Sequence, residues 1–147
     1  MNSFKGKKVL VTGHTGFKGS WLSLWLNMLG AKVVGVALDP EQEKGAFLAM
    51  EISSVCIDIR QNINDLNALQ QIFIEHQPEI VFHLAAQPLV IDSYSRPIET
   101  LQTNIIGTAN ILEVARNTPS VKTIVVITTD KCYENREVIT GYSETDR

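Results

Sequence analysis

Residues 12–19 read Thr-Gly-His-Thr-Gly-Phe-Lys-Gly, with glycines at 13, 16 and 19. A turn of this kind bends sharply and lets the backbone approach a pyrophosphate where a Cβ would obstruct it. It follows an apolar run and opens a helical pattern, so the free N–H groups and positive dipole end of that helix would face the phosphates. The pattern predicts dinucleotide binding through Gly13, Gly16 and Gly19, against a merely structural glycine turn. Two carboxylates sit where the rest of such a ligand would lie. Asp39 ends the second apolar run, about 20 residues past the last glycine. There it would bond both hydroxyls of the adenosine ribose and repel a 2′-phosphate, which favours NAD over NADP; an ordinary Asp-Pro turn is the alternative. Asp58 ends the third run and would accept a hydrogen bond from the adenine amino group, with Ile59 against the ring. The alternative there is a solvated strand-end aspartate.

The elements that must position these residues alternate. Short, nearly continuous apolar runs predict buried strands over 7–12, 32–38, 55–59, 80–85 and 122–128. Helices are expected over 16–29, 65–76 and 97–117, and a short helix or loop over 41–53. In the first helix Phe17, Trp21, Leu24, Trp25 and Met28 fall at helical spacing, and the tryptophans are expected in the core or at a helix interface. In the long helix Ile98, Leu101, Ile105, Ala109 and Leu112 form the expected apolar stripe, with Pro97 in its first turn. Strands separated by helices imply right-handed crossovers. The fold class is therefore α/β: a Rossmann-type, doubly wound parallel sheet with helices on both faces, stopping after about the fifth strand. One incomplete domain accounts for residues 1–147.

Composition narrows the function classes. With 44% apolar and 20% charged residues the chain is an ordinary globular one, and a net charge of −3 with scattered lysines and arginines argues against a nucleic-acid surface. No apolar run is long enough for a membrane span, and the start lacks a signal-peptide pattern, so a cytoplasmic protein is expected. Cys56 and Cys132 are read as buried free thiols, and His14, His76 and His83 lack metal-ligand spacing, so no metal is expected. His83 reads as a packed strand residue rather than a catalyst.

Further segments carry a resemblance. GHTGFKGSWLSLWL, ALDP, HLAAQPLV, SYSRPIETLQTNIIGT and TTDKCYEN together resemble the extended short-chain dehydrogenase/reductase family, and within it the CDP-glucose 4,6-dehydratases. The resemblance spans nearly the whole chain but only the amino-terminal part of such enzymes. It implies NAD as cofactor and a nucleotide sugar, CDP-glucose, as substrate. A hydride would leave C4 of the sugar, water would be lost across C5–C6, and the hydride would return to C6. It implies that Thr129 bonds the C4 oxygen and that Asp130 is the acid for the departing C6 hydroxyl. Lys131 stands where related dTDP-glucose enzymes carry a glutamate, with its role open between proton transfer and electrostatic stabilisation. Thr15, Phe17, Leu84, Ala85, Ala86, Gln87 and Thr128 join the implied cofactor-binding set. Asn104 joins it either by bonding main chain to support the catalytic strand or as a helix-surface asparagine. A homodimer through the long helix is the implied assembly.

The sequence also departs from that pattern. The family's Tyr-x-x-x-Lys pair is missing: four residues beyond Tyr94, Tyr133 and Tyr142 stand Ile98, Glu137 and Asp146. Ile91 and Ser143 occupy places where arginines are expected, and Val138 and Thr140 lie near expected tryptophans. A non-catalytic dinucleotide-binding remnant, or a different nucleotide-sugar epimerase or dehydratase, therefore stands beside the CDP-glucose reading. The chain is expected to end before the catalytic pair, to be inactive alone, and to be marginally soluble.

Overall fold

A computed structural model describes residues 3–40, 44–129 and 132–147. Five parallel strands form one sheet: β1 (Lys8–Thr12), β2 (Lys32–Ala37), β3 (Ile57–Arg60), β4 (Ile80–His83) and β5 (Thr123–Val126). Their spatial order is β3-β2-β1-β4-β5. The register sets Thr12 beside both Val36 and His83, so the carboxyl ends of the three central strands finish level. The chain winds outward from β1 in one direction through β2 and β3, and in the other through β4 and β5. The α/β, doubly wound expectation holds. The third strand begins two residues later than expected, because a 3₁₀ turn at Ile52–Ser54 is closed by a bond from the Val55 N–H to the Ile52 carbonyl.

Helices α1 (Phe17–Met28) and α2 (Ala46–Ala49) lie on one face. Helix α3 (Leu66–His76) and the long segment after β4 lie on the other. That second face holds the main core, where Leu10, Val36 and Val81 from the strands meet Leu69, Ile72 and Phe73 of α3 and Ile111, Val114 and Ala115 of the long segment. A smaller core on the first face joins Val9, Val11, Val33, Ala31 and Leu26. Asp65 caps α3, its carboxylate accepting from the Ala68 N–H at 3.0 Å.

Both expected helical faces are overturned. In α1 the buried residues are Gly19, Ser20, Ser23 and Leu26, while Phe17, Trp21, Trp25 and Met28 point outward, the tryptophans 54% and 63% exposed. The start of the helix abuts the glycine turn and the sheet, where the small residues Gly19, Ser20 and Ser23 fit that close approach, and Leu26 near its end enters the smaller core. The long segment is not one regular helix. It runs as α5 (Pro97–Leu101), a π turn (Gln102–Gly107) and α6 (Thr108–Arg116). The wider π turn rotates α6 relative to α5. Gly107, Ile111, Val114 and Ala115 therefore face inward instead of Ile98, Leu101, Ile105, Ala109 and Leu112. A short helix α4 (Val90–Ser95) precedes it, unforeseen from the sequence. Among the described residues no helix is long and apolar enough to cross a membrane.

Candidate functional site

The reversal of winding between β1 and β4 leaves a crevice at the carboxyl ends of the strands, the place where open α/β sheets take ligands. The glycine turn fills its centre. The Gly13 N–H donates to the Val36 carbonyl at 2.8 Å, and the Gly16 N–H donates back to the Gly13 carbonyl at 3.1 Å. The Ser20 hydroxyl donates to the His14 and Gly16 carbonyls at 3.0 and 2.8 Å. Gly13 has φ +74°, and a Cβ there would stand 2.9 Å from the Ala85 nitrogen. A Cβ on Gly19 would land on the Gly13 carbonyl oxygen. The turn is thus packed against the end of β4 with no room for a Cβ at 13 or 19, and the first N–H groups of α1, from Phe17 onward, open on the same crevice. The Thr15 hydroxyl donates to the Leu38 carbonyl at 3.1 Å and ties the turn to the exit of β2.

On the β2–β3 side the Asp39 side chain is 89% exposed, with Oδ1 3.7 Å from Arg60 Nε. Asp58 holds His14 Nε2 on Oδ1 and Arg60 Nη2 on Oδ2, each at 2.8 Å. Arg60 also donates to the Leu38 carbonyl at 3.0 Å and lies over the Phe47 ring, 4.7 Å from its centroid. His14 meets the same ring edge-on. Burial holds the His14 pKa below its ordinary value, against the opposing pull of the Asp58 carboxylate. His14 is therefore a neutral donor to Asp58, and its buried Nδ1 has no hydrogen-bond partner among the described residues. Ile59 is half-buried, and its side chain packs on the main core. Of the two cysteines expected to be buried, Cys132 is exposed, on the polar segment after β5, and Cys56 is half-buried; partial burial pushes the Cys56 thiol up to about 11, with the Asp58 carboxylate adding to it, and such a thiol is unreactive at neutral pH. Sequence spacing does not single out His14, Phe47 or Arg60 as parts of this site. One signal is present: Asp58 and Arg60, two apart in a strand, share a face.

On the β4–β5 side the Leu84 and Ala85 N–H groups both donate to Thr12 Oγ1 at 3.1 Å. The Gln87 N–H donates to Asn104 Oδ1 at 2.8 Å, and Asn104 Nδ2 donates to the Gln87 carbonyl at 3.0 Å. Asn104 thus grips main chain, but the segment after β4 rather than the strand β5. Ala86 is exposed beside it. The Ile127 N–H donates to the His83 carbonyl at 3.0 Å, and Thr128 and Thr129 emerge exposed just beyond. Asp130 and Lys131 lie outside the described residues. The structure brings Gly13, Gly16, Gly19 and Ala85 together, joins Asp39 and Asp58 through Arg60, and sets Gln87 on Asn104.

The family profile described as GDP-mannose 4,6 dehydratase matches residues 10–147. The chain belongs to this family. Its motifs are those of the extended short-chain dehydrogenases/reductases, as the resemblance implied. CDP-glucose 4,6-dehydratase of Salmonella typhimurium is 48% identical over 145 residues, covering 99% of this chain and 40% of that protein. dTDP-glucose 4,6-dehydratase of Haemophilus influenzae is 37% identical, covering 74% of this chain and 33% of its own length. Among solved structures, UDP-glucose 4-epimerase from Stenotrophomonas maltophila, with bound NAD and formylated UDP-arabinopyranose, superposes with a TM-score of 0.83 at 25% identity. That match covers 95% of this chain and 42% of the epimerase. The chain therefore spans less than half the length of these family members.

Proposed function

We propose that the chain is the NAD-binding amino-terminal part of a cytoplasmic nucleotide-sugar 4,6-dehydratase that acts on CDP-glucose. The observation that carries this reading is the glycine cradle closed by Ala85, in which a Cβ at 13 would meet the Leu84–Ala85 backbone and one at 19 would meet the backbone of the turn itself. The high identity to a CDP-glucose dehydratase and the NAD held by the structurally similar epimerase support it.

In this reading Thr15, Phe17 and Gly19 present backbone N–H groups and the dipole of α1 to the pyrophosphate, while Gly13 and Gly16, whose own N–H groups are bonded to the Val36 and Gly13 carbonyls, let the backbone come close to it. Asp39 takes the ribose hydroxyls. Arg60 bonds Asp58 and the Leu38 carbonyl and lies 3.7 Å from Asp39, whose largely exposed carboxylate keeps acceptor sites for the ribose. Asp58 keeps spare lone pairs for the adenine amino group beside Ile59, since a carboxylate has about four acceptor sites. Leu84, Ala85, Ala86, Gln87 and Thr128, with Asn104 behind them, line the nicotinamide half. Bound NAD supplies a reversible hydride acceptor that is regenerated within each turnover. Thr129 bonds the sugar C4 oxygen and Asp130 protonates the departing C6 hydroxyl. Lys131 serves either proton transfer or electrostatic stabilisation of the same step. Without a Tyr-x-x-x-Lys pair these residues hold the cofactor but do not complete the reaction.

Calorimetric titration tests the reading. NAD should bind at least about tenfold more tightly than NADP, and Asp39→Ala should narrow that ratio. Equal or tighter binding of NADP overturns the ribose assignment. Turnover of CDP-glucose by the purified 147-residue chain would overturn the statement that it cannot complete the reaction.

A further inference from the structure

His83 is 3% exposed and stands level with Thr12 on the neighbouring strand. Its Nδ1 lies 2.7 Å from Thr12 Oγ1, and its Nε2 lies 2.9 Å from Thr108 Oγ1. Counting donors fixes the proton positions. Thr12 Oγ1 accepts the Ala85 N–H and shares the Leu84 N–H with the Thr12 main-chain carbonyl at 3.2 Å, so its own proton is directed to the acceptor beside it, His83 Nδ1. Thr108 Oγ1 is 2.8 Å from the Asn104 carbonyl, which can only accept, so the Thr108 proton goes there. Its lone pair is then left for an N–H on His83 Nε2. One directional chain thus runs from the segment after β4, through Thr12, His83 and Thr108, to the π turn. There Asn104 returns to Gln87 with two more bonds. Burial lowers the pKa of His83 and keeps the imidazole neutral.

We infer that His83 is a positioning residue. Held as the Nε2–H tautomer, it locks residues 84–87 between the end of β1 and the π turn, and so fixes the floor of the nicotinamide half of the site. The inference rests on the dinucleotide reading proposed above. The topology supplies the half: the carboxylates Asp39 and Asp58 mark the β2–β3 side as the adenosine end, which leaves the β4–β5 side for the other half. His83 touches no ligand in this arrangement. It acts through the main chain of Leu84 and Ala85 and through the helix that carries Asn104.

Two measurements test it. The first is a long-range ¹⁵N–¹H spectrum of the imidazoles in the purified chain without cofactor. It should show His83 protonated on Nε2 alone near neutral pH; an Nδ1–H tautomer or an imidazolium overturns the inference, whatever the chain binds. The second compares NAD with ADP-ribose by calorimetry in the unsubstituted chain, Thr108→Val and Thr108→Ser. Thr108→Val should weaken NAD about tenfold and leave ADP-ribose within about twofold, and Thr108→Ser should restore NAD binding. Equal losses for both ligands indicate general structural damage and overturn the positioning role, as does unchanged NAD binding by Thr108→Val or failure of Thr108→Ser to restore it. An unsubstituted chain that binds neither ligand sinks the proposed function and with it the cofactor half of this inference. Normal NAD binding that Thr108→Val leaves untouched sinks the inference alone.

Discussion

His14 and His83 are both buried imidazoles, and both give up their charge on folding. For His14 the cost of burial outweighs the attraction of Asp58; for His83 burial acts with no carboxylate to oppose it. Each folded-state pKa therefore lies below the unfolded value of about 6.5. Below that value the unfolded chain binds more protons than the folded one, and stability falls as pH falls. Above it both states are neutral and the contribution is flat. The thermal midpoint should hold between pH 7 and 8 and drop on acidification from about pH 6.5. The slope is bounded at about 1.4 kcal/mol per pH unit for each histidine. The paired change His14→Gln with His83→Gln should flatten that limb, read by calorimetry across pH. A midpoint that rises toward pH 5.5 would contradict the assignment of both rings as neutral.

At the scale of the element, α1 shows the effect of burial by small residues. Ser23 is fully buried, and its Oγ has no hydrogen-bond partner among the described residues. Ser23→Ala removes an unsatisfied hydroxyl and should stabilise the fold by about 1 kcal/mol, whereas Ser23→Leu overfills the contact and should cost about 1–3 kcal/mol. Trp25→Ser, on the exposed side, should change stability by no more than about 0.5 kcal/mol, despite removing the larger side chain. Denaturant unfolding of the three variants would reverse this ranking if the tryptophan face were the packed one. The same helix explains where sequence reading succeeds and fails. Strands buried on both faces are apolar throughout, so runs such as Lys8–Thr12 and Lys32–Ala37 stand out. Helix faces are read from periodicity, and α1 is apolar on the side away from the sheet, so periodicity points the wrong way. Along 97–117 a single 3.6-residue period fails because the π turn at Gln102–Gly107 shifts the phase midway. The glycine turn and Asp39 are local patterns and are legible. The joining of His14 to Asp58, 44 residues away, and of Thr12 to His83, 71 residues away, is not local, and the link from His83 to Thr108 depends on a phase set by the π turn.

The sheet as a whole is covered unequally. On the side of α3 and α6, side chains from β1, β2 and β4 lie under helices. On the side of α1, cover reaches β1 and β2, but Ile80, Phe82 and Leu84 remain half-buried, and Val125 and Ile127 beyond them are 37% and 43% exposed. Phe82 and Val125 are register partners, so these residues form one continuous apolar strip. Among the described residues β5 is also an edge strand, with one row of backbone groups unpaired. An exposed apolar strip beside a free edge favours pairing with another chain. The 147-residue chain alone should therefore self-associate at micromolar concentration, visible as a rise in weight-average mass by light scattering. Placing charge on the strip with Val125→Lys and Ile127→Lys should shift it toward monomer, because lysine on an edge strand opposes strand addition. A chain that stays monomeric without these substitutions, or a lysine pair that leaves the mass unchanged, would locate the instability elsewhere than this face.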